Sequence, residues 1–187
     1  MAGFKRHTPD TAPDAARPLL RGAKQQLGFV PNLYAHLAEA PAALKAYLNL
    51  SDFLGETSLS PTEQQLLALA ISAENACGYC MAAHSTMARH MVQVPGDIVD
   101  ALRDGAELEE PRLEALRRFA VAAVRERGEV RGKPLEAFLD AGYTRQQAIE
   151  VMLAVAMKTL SNYSNHLFDT AVDDAFEAES WSARNAA

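Results

Sequence analysis

Two cysteines and a histidine carry the most specific chemistry in this sequence. Cys77 and Cys80 lie three residues apart, and His84 follows Cys80 by four, in the segment Glu74-Asn75-Ala76-Cys77-Gly78-Tyr79-Cys80-Met81-Ala82-Ala83-His84. On a helix, at about 100° per residue, these three side chains fall within about 60° of one face. Cysteines spaced this way at a helix start can close a disulfide on oxidation. Cys77 would sit near the helix N-terminus, where free amides and the helix dipole favour a thiolate over a thiol. A thiolate is the nucleophile that opens the O–O bond of a peroxide or the S–S bond of a disulfide. His84 can take up or return a proton, and a leaving alkoxide needs one.

Other roles for the same residues were weighed. Two stray cysteines on a buried helix would be inert small hydrophobes. A structural zinc site wants four ligands, and the chain has one Cys-x-x-Cys. His84 would have to be the third ligand, with His90 or His166 the fourth, yet His90 lies six residues beyond His84 on another side of the helix. A thioredoxin-type Cys-x-x-C follows a strand in a βαβ pattern, and this chain shows no such strands. Among the other histidines, His7 lies in a polar leader and His36 in a short helix. His166 closes the polar cluster Asn162-Tyr163-Ser164-Asn165-His166. It serves either as a satisfied polar helix end or, with Tyr163, as a wall of the redox pocket or a subunit contact. A Ser-centred nucleophile elbow, a phosphate-cradling glycine loop and a His-Glu-x-x-His zinc motif are all missing.

The elements that must hold these residues read as helices throughout. The 187 residues include 49% hydrophobic and only 7% aromatic positions. This alanine-rich composition suits closely packed helices in a single domain. The net charge of −6 argues against a nucleic-acid partner, and Arg117-Arg118 with Arg125 and Arg127, flanked by Glu114 and Glu126, reads as a solvated helix face. Residues 1–12 form a polar, loosely held leader ahead of a helical domain over 13–187. Met1 to Pro18 lacks an apolar signal segment, and the longest apolar run, Val151 to Met157, is too short to span a bilayer. The expectation is a cytoplasmic protein, where a close Cys pair is catalytic or metal-binding rather than structural.

Helix signals follow one another along the chain. Pro13 to Leu27 stops at Gly28, Asn32 caps a short helix, and Pro41 opens one running to about Gly55. Ser60-Pro61-Thr62-Glu63 is a capping box, and the following helix spaces Leu66, Leu69, Ala70 and Ala73 helically. Cys77 to His90 is a further helix or a bent continuation, broken by Val94-Pro95-Gly96. Pro111 opens a helix through about Arg127. Pro134 opens a short one ending before Gly142. Thr144-Arg145-Gln146-Gln147 is a second capping box, starting a helix through Leu160 and up to Phe168. The middle of that last helix, Val151 to Met157, is apolar all round and should be buried. It also suggests subunits that bury surface against each other.

The run Leu59-Ser60-Pro61-x-Glu63-x-Gln65-Leu66, followed by Ala70-Ile71-Ser72-x-x-Asn75-x-Cys77-x-Tyr79-Cys80-x-x-x-His84, resembles the carboxymuconolactone decarboxylase / AhpD-like alkylhydroperoxidase superfamily, in its peroxidase-related branch. The likeness is strongest over residues 59–90 and looser at Gly28-Phe29-Val30-Pro31-Asn32 and Asn165-His166. It implies an all-α, single-domain AhpD-like helical bundle that assembles as a homo-oligomer, a trimer or hexamer. It implies hydroperoxide reduction with Cys80 as the peroxidatic thiol, Cys77 as the resolving thiol and His84 as the proton relay. The implied reductant is a lipoyl-bearing or other dithiol protein, with no metal and no cofactor. Two positions depart from the family pattern. The relay glutamate expected twelve residues before the first cysteine is Gln65 here, which cannot exchange a proton near neutral pH. Glu63 would point about 160° away, leaving Glu74 or a C-terminal group to substitute. Tyr79 stands where the alkylhydroperoxidase has a histidine. The absence of the acid leaves two alternatives to peroxide reduction open: a disulfide reductase, or a redox-sensing dithiol switch.

Overall fold

The computed structural model describes residues 3–183. Among them the regular elements are helices: α1 Arg17–Leu27, α2 Asn32–Leu37, α3 Pro41–Gly55, α4 Pro61–Glu74, α5 Gly78–Met87 with a π-helical turn Ala88–Val92, α6 Gly96–Asp104, α7 Pro111–Arg125, α8 Lys133–Asp140, α9 Arg145–Phe168 and a 3₁₀ turn Asp174–Glu179. None is long and apolar enough to cross a membrane.

Local chemistry sets most of these boundaries. Ser60 accepts from the Glu63 amide while the Glu63 carboxylate accepts from Ser60, and Thr144 and Gln147 do the same at α9. Such caps satisfy amides that the first turn leaves free. Pro41, Pro61 and Pro111 occupy first helical positions, where a missing N–H costs nothing. Gly28 and Gly105 end α1 and α6 in the left-handed region.

The centre of the bundle is α4, whose residues 66–72 are all buried. It packs against α5, α6, α7 and α9. A helix enclosed by neighbours must be apolar all round, and Leu66-Leu67-Ala68-Leu69-Ala70-Ile71 meets that demand. On one flank Phe138 stacks between Phe119 and Tyr143, with centroids 4.3 and 4.5 Å away.

Three expectations change. In α9 only Val151, Ala154 and Met157 of the apolar middle are buried, while Ala156 is exposed and Met152, Leu153 and Val155 are half-buried. The helix lies on the outside of the bundle, and its far side has no neighbour among the described residues. The leading segment is fastened, not loose. His7 is buried, its amide donates to Ala35 O at 2.9 Å, and its ring pairs with Thr11 O and Glu39. Residues 96–104, where only a break was read, form α6, with Pro95 and Gly105 at its ends.

Candidate functional site

The turn between α4 and α5 presents the cysteines. Ala76 sits in the left-handed region at φ 53°. The Cys77 amide donates back to Ser72 O at 2.9 Å and the Ala76 amide to Ala73 O at 3.0 Å. These two bonds close a Schellman motif at the end of α4, with alanine where glycine is usual. A methyl there costs on the order of 1 kcal/mol. The motif ends α4 abruptly, so Cys77 becomes the N-cap of α5 and Cys80 lies one turn in.

Cys77 and Cys80 approach to 3.1 Å, both as free thiols and both buried. The facing groups come from α9. Lys158, Ser161, Asn162 and Asn165 are spaced three, four and seven along one helical face, and all four are buried. The Asn165 amide donates to Cys80 Sγ at 3.2 Å and points toward Cys77 Sγ at 3.9 Å. The Ser161 hydroxyl lies 4.0 Å from Cys80 Sγ. Asn162 is held by Asn75 and itself donates to Ser72 Oγ at 3.3 Å.

This arrangement separates the two thiols. For Cys80, burial alone would push the pKa up. The hydrogen bond from Cys77, then the Lys158 charge, then the Asn162 and Asn165 amides outweigh burial and bring it below the ordinary cysteine value. Cys77 is raised, because its proton is bonded to Cys80 and because it is buried. The two shifts run in opposite directions and favour ionisation at Cys80, with Cys77 as its hydrogen-bond donor.

His84 shares the face with Cys80, and its Nδ1 meets Gln65 Oε1 at 3.1 Å. Burial, and then the Lys158 charge, push its pKa well below the ordinary histidine value. His84 is therefore neutral near pH 7. With an amide oxygen as its partner, Nδ1 carries the proton and Nε2 is left as the acceptor.

Above Cys80 and His84 opens a cavity of about 280 Å³, walled by Phe29, Tyr34, Tyr47, Tyr79, Met87 and Phe176. Tyr79 donates to Asp173 Oδ2 at 2.7 Å and accepts from the Leu33 amide at 3.4 Å. Tyr79 thus pins the wall to the chain after α9. On the other side of the turn Cys77 borders a more open recess of about 370 Å³, with Asn165, His166, Asp169 and Trp181. Each thiol faces a different opening.

The expected site residues divide accordingly. Cys77, Cys80, His84, Gln65 and Tyr79 come together, and exposed His166 borders the Cys77 recess. Glu74 does not join them: its carboxylate accepts from Arg125 at 2.6 Å on a different face of α4. Glu63 is engaged by Ser60, Arg112 and Tyr143. The sequence reading missed Lys158, Ser161 and Asp173. It took Asn162 and Asn165 as part of a polar helix end, and Asn165 also as part of a loosely matching segment. The available signal was four polar residues at helical spacing that follow the apolar run Val151 to Met157. Among the described residues, no three His, Cys, Asp or Glu side chains converge as a metal-binding group.

Residues 39–122 match the carboxymuconolactone decarboxylase family. No curated protein matches the sequence. The fold is shared with a peroxidase-related protein described as an alkylhydroperoxidase AhpD core, from Ralstonia eutropha JMP134. That protein is 26% identical, with a TM-score of 0.81 over 94% of this chain and 96% of the other. A peroxidase-related protein from Silicibacter sp. TM1040 is 20% identical, with a TM-score of 0.78 over 96% and 98%. The debrominase Bmp8, also solved with 2,3,4-tribromopyrrole, is 20% identical, with a TM-score of 0.74 over 96% of each chain in its apo form.

Proposed function

We propose that the chain, whose residues 39–122 match the carboxymuconolactone decarboxylase family and whose fold is that of an AhpD-core protein, reduces hydroperoxides through a Cys80–Cys77 dithiol cycle. The observation that carries this is the pair of free thiols at 3.1 Å, with Cys80 opening beside His84 into an uncharged cavity.

The Cys80 thiolate attacks the terminal oxygen of R–O–O–H. The O–O bond breaks, Cys80 becomes a sulfenic acid, and RO⁻ leaves. RO⁻ takes a proton from water relayed through His84 Nε2, which accepts it and passes it on, replacing the proton that Cys80 released to solvent on ionising. Cys77 then attacks the sulfenic sulfur, forming the disulfide and releasing water. A dithiol reductant, of the lipoyl type or another thiol protein, meets Cys77 through the polar recess and restores both thiols. Burial of the reacting sulfur excludes water and strengthens each hydrogen bond at Cys80. The setting is the reducing cytoplasm. The apolar stripe left on α9, with Ile149, Tyr163 and Leu167 exposed, is where copies of the chain assemble as a trimer or hexamer.

The aromatic cavity wall favours one second reading. A halogenated ring such as the tribromopyrrole bound to Bmp8 would stack there, and the same two thiols would supply the electrons for its reductive dehalogenation. Peroxide-dependent oxidation of dihydrolipoamide by the wild type and by Cys80→Ser tests the first reading. Turnover lost in Cys80→Ser upholds it. No wild-type turnover, with a disulfide that still forms, refutes it and leaves bromide release, disulfide reduction or a redox switch to be assayed.

A further inference from the structure

The least expected group in the core is Lys158. It is fully buried, and its Nζ has no hydrogen-bond partner. An ammonium taken from water into a protein interior needs a compensating negative charge. The buried carboxylates among the described residues are committed elsewhere: Glu63 to Arg112 and Tyr143, Glu114 to Arg117 and Arg118, Asp173 to Tyr79 and the Asn32 amide. On its own helix Lys158 begins the face that continues through Ser161, Asn162 and Asn165 to the cysteines. The groups its charge reaches are Cys77, Cys80 and His84.

We infer that Lys158 is the resident counter-ion of the Cys80 thiolate, a positioning residue that holds the reactive sulfur ionised and His84 neutral. This rests on the proposed role of Cys80 as the reactive thiol, and it assigns the positive charge that the site requires to a residue outside the Cys-x-x-Cys-x-x-x-His segment. The other titratable groups around Cys80 do not supply that charge. Cys77 and His84 come from α5 and its cap, Tyr47 from α3, and Tyr79 from α5 with Asp173 beyond it; α4 contributes only neutral Gln65 and Ser72. Where the superfamily pattern has a glutamate, Gln65 adds no negative charge to compete for the ammonium. The pair also explains why so large a polar side chain is tolerated in the core: the charge is matched as long as Cys80 is a thiolate.

The test is the pH dependence of Cys80 alkylation by iodoacetamide, in a Cys77→Ser background so that one thiol is read. With Lys158 present the midpoint lies below the ordinary free-cysteine range. In Lys158→Met it rises by at least about one pH unit, because the partner charge is gone and Cys80 keeps its proton. Lys158→Gln shifts the midpoint in the same direction and is titrated if the methionine variant does not fold. A midpoint unmoved in either folded variant overturns the assignment. So does an ordinary or raised Cys80 midpoint in the chain that keeps Cys77 and Lys158, with alkylation read at Cys80 by peptide mass, a measurement that needs no variant. Failure of the peroxidase reading is distinguishable: a Lys158-dependent acidic thiolate in a chain that turns over no peroxide upholds Lys158 and removes the peroxidase.

Discussion

Gly78→Ala tests how the C-terminal strap closes over Cys77. A Cβ on Gly78 would stand 2.9 Å from the carbonyl oxygen of Trp181, against at least 3.4 Å for ordinary contact. Something must move by at least about 0.5 Å, and because the obstacle is backbone, no rotamer change relieves it. Trp181 is tied by its Nε1 donating to Arg103 O at 2.9 Å, and Arg103 donates to Glu179 O and Ser180 O at 3.0 and 3.1 Å. Overpacking of this kind costs about 1–3 kcal/mol, and replacing glycine by alanine in a helix returns up to about 1 kcal/mol. Because Gly78 stands at the first helical position, where that return is small, the net cost is about 1–3 kcal/mol and falls on a segment that can lift without unfolding the bundle. At about 1 kcal/mol the lifted population grows roughly fivefold. Native-state hydrogen exchange at the Phe176 and Ser180 amides, which donate to Asp173 O and Glu177 O, should speed up by that factor. Alkylation of Cys77 through the recess should rise with it. In a chain ending at Ser180 the same substitution meets no obstacle and should leave stability unchanged or slightly raised. Unchanged exchange and melting in the longer chain would refute the reasoning, since the added methyl would then have been absorbed elsewhere.

Asn165→Leu removes the amide that donates to Cys80 Sγ at 3.2 Å. A hydrogen bond to a charged acceptor is worth about 1.5–3 kcal/mol, so the thiolate midpoint should rise by about 1–2 pH units. Thiolate absorbance reads this directly, and an unmoved midpoint in a folded variant would deny Asn165 its role. For Glu114, burial alone would raise the carboxyl, but Arg117, the Leu108 amide and Arg118 bring it from 4.5 down to about 2. A depressed carboxyl stabilises the fold above its unfolded pKa and loses that contribution as pH falls through its folded value. Glu114→Gln should therefore be less stable than wild type at pH 7, by at most about 3 kcal/mol before solvent screening reduces it, with the gap closing between about pH 4.5 and 2. A gap that stays constant across that range would show that these guanidiniums do not hold the carboxylate.

Where a residue's environment is set by its chain neighbours, the sequence was enough. Ser60 with Glu63 and Thr144 with Gln147 mark helix starts because capping acts within one turn. Cys77, Cys80 and His84 share a face because spacings of three and four do so on any helix. Even the bend between α4 and α5 is local. Its one hidden feature is Ala76, which takes a conformation that glycine would have advertised.

What lies across space was not legible. Glu74 is two residues from the turn and a natural substitute for the missing acid, yet α4 turns it toward Arg125. Val151–Met157 looks buried all round, but burial depends on neighbours, and α9 has them on one side only. The α9 groups that face the cysteine pair stand 78 to 88 residues from it: Lys158, Ser161, Asn162 and Asn165. In sequence a lone lysine on an apolar helix reads as a solvated side chain. Thus the sequence by itself determined the helices and the nucleophile pair, because hydrogen-bond caps and helical periodicity act over a few residues. Only the tertiary structure decided that buried Lys158, Ser161 and Asn165 share the helix face turned to the cysteines, because burial and distance are set by the folded chain.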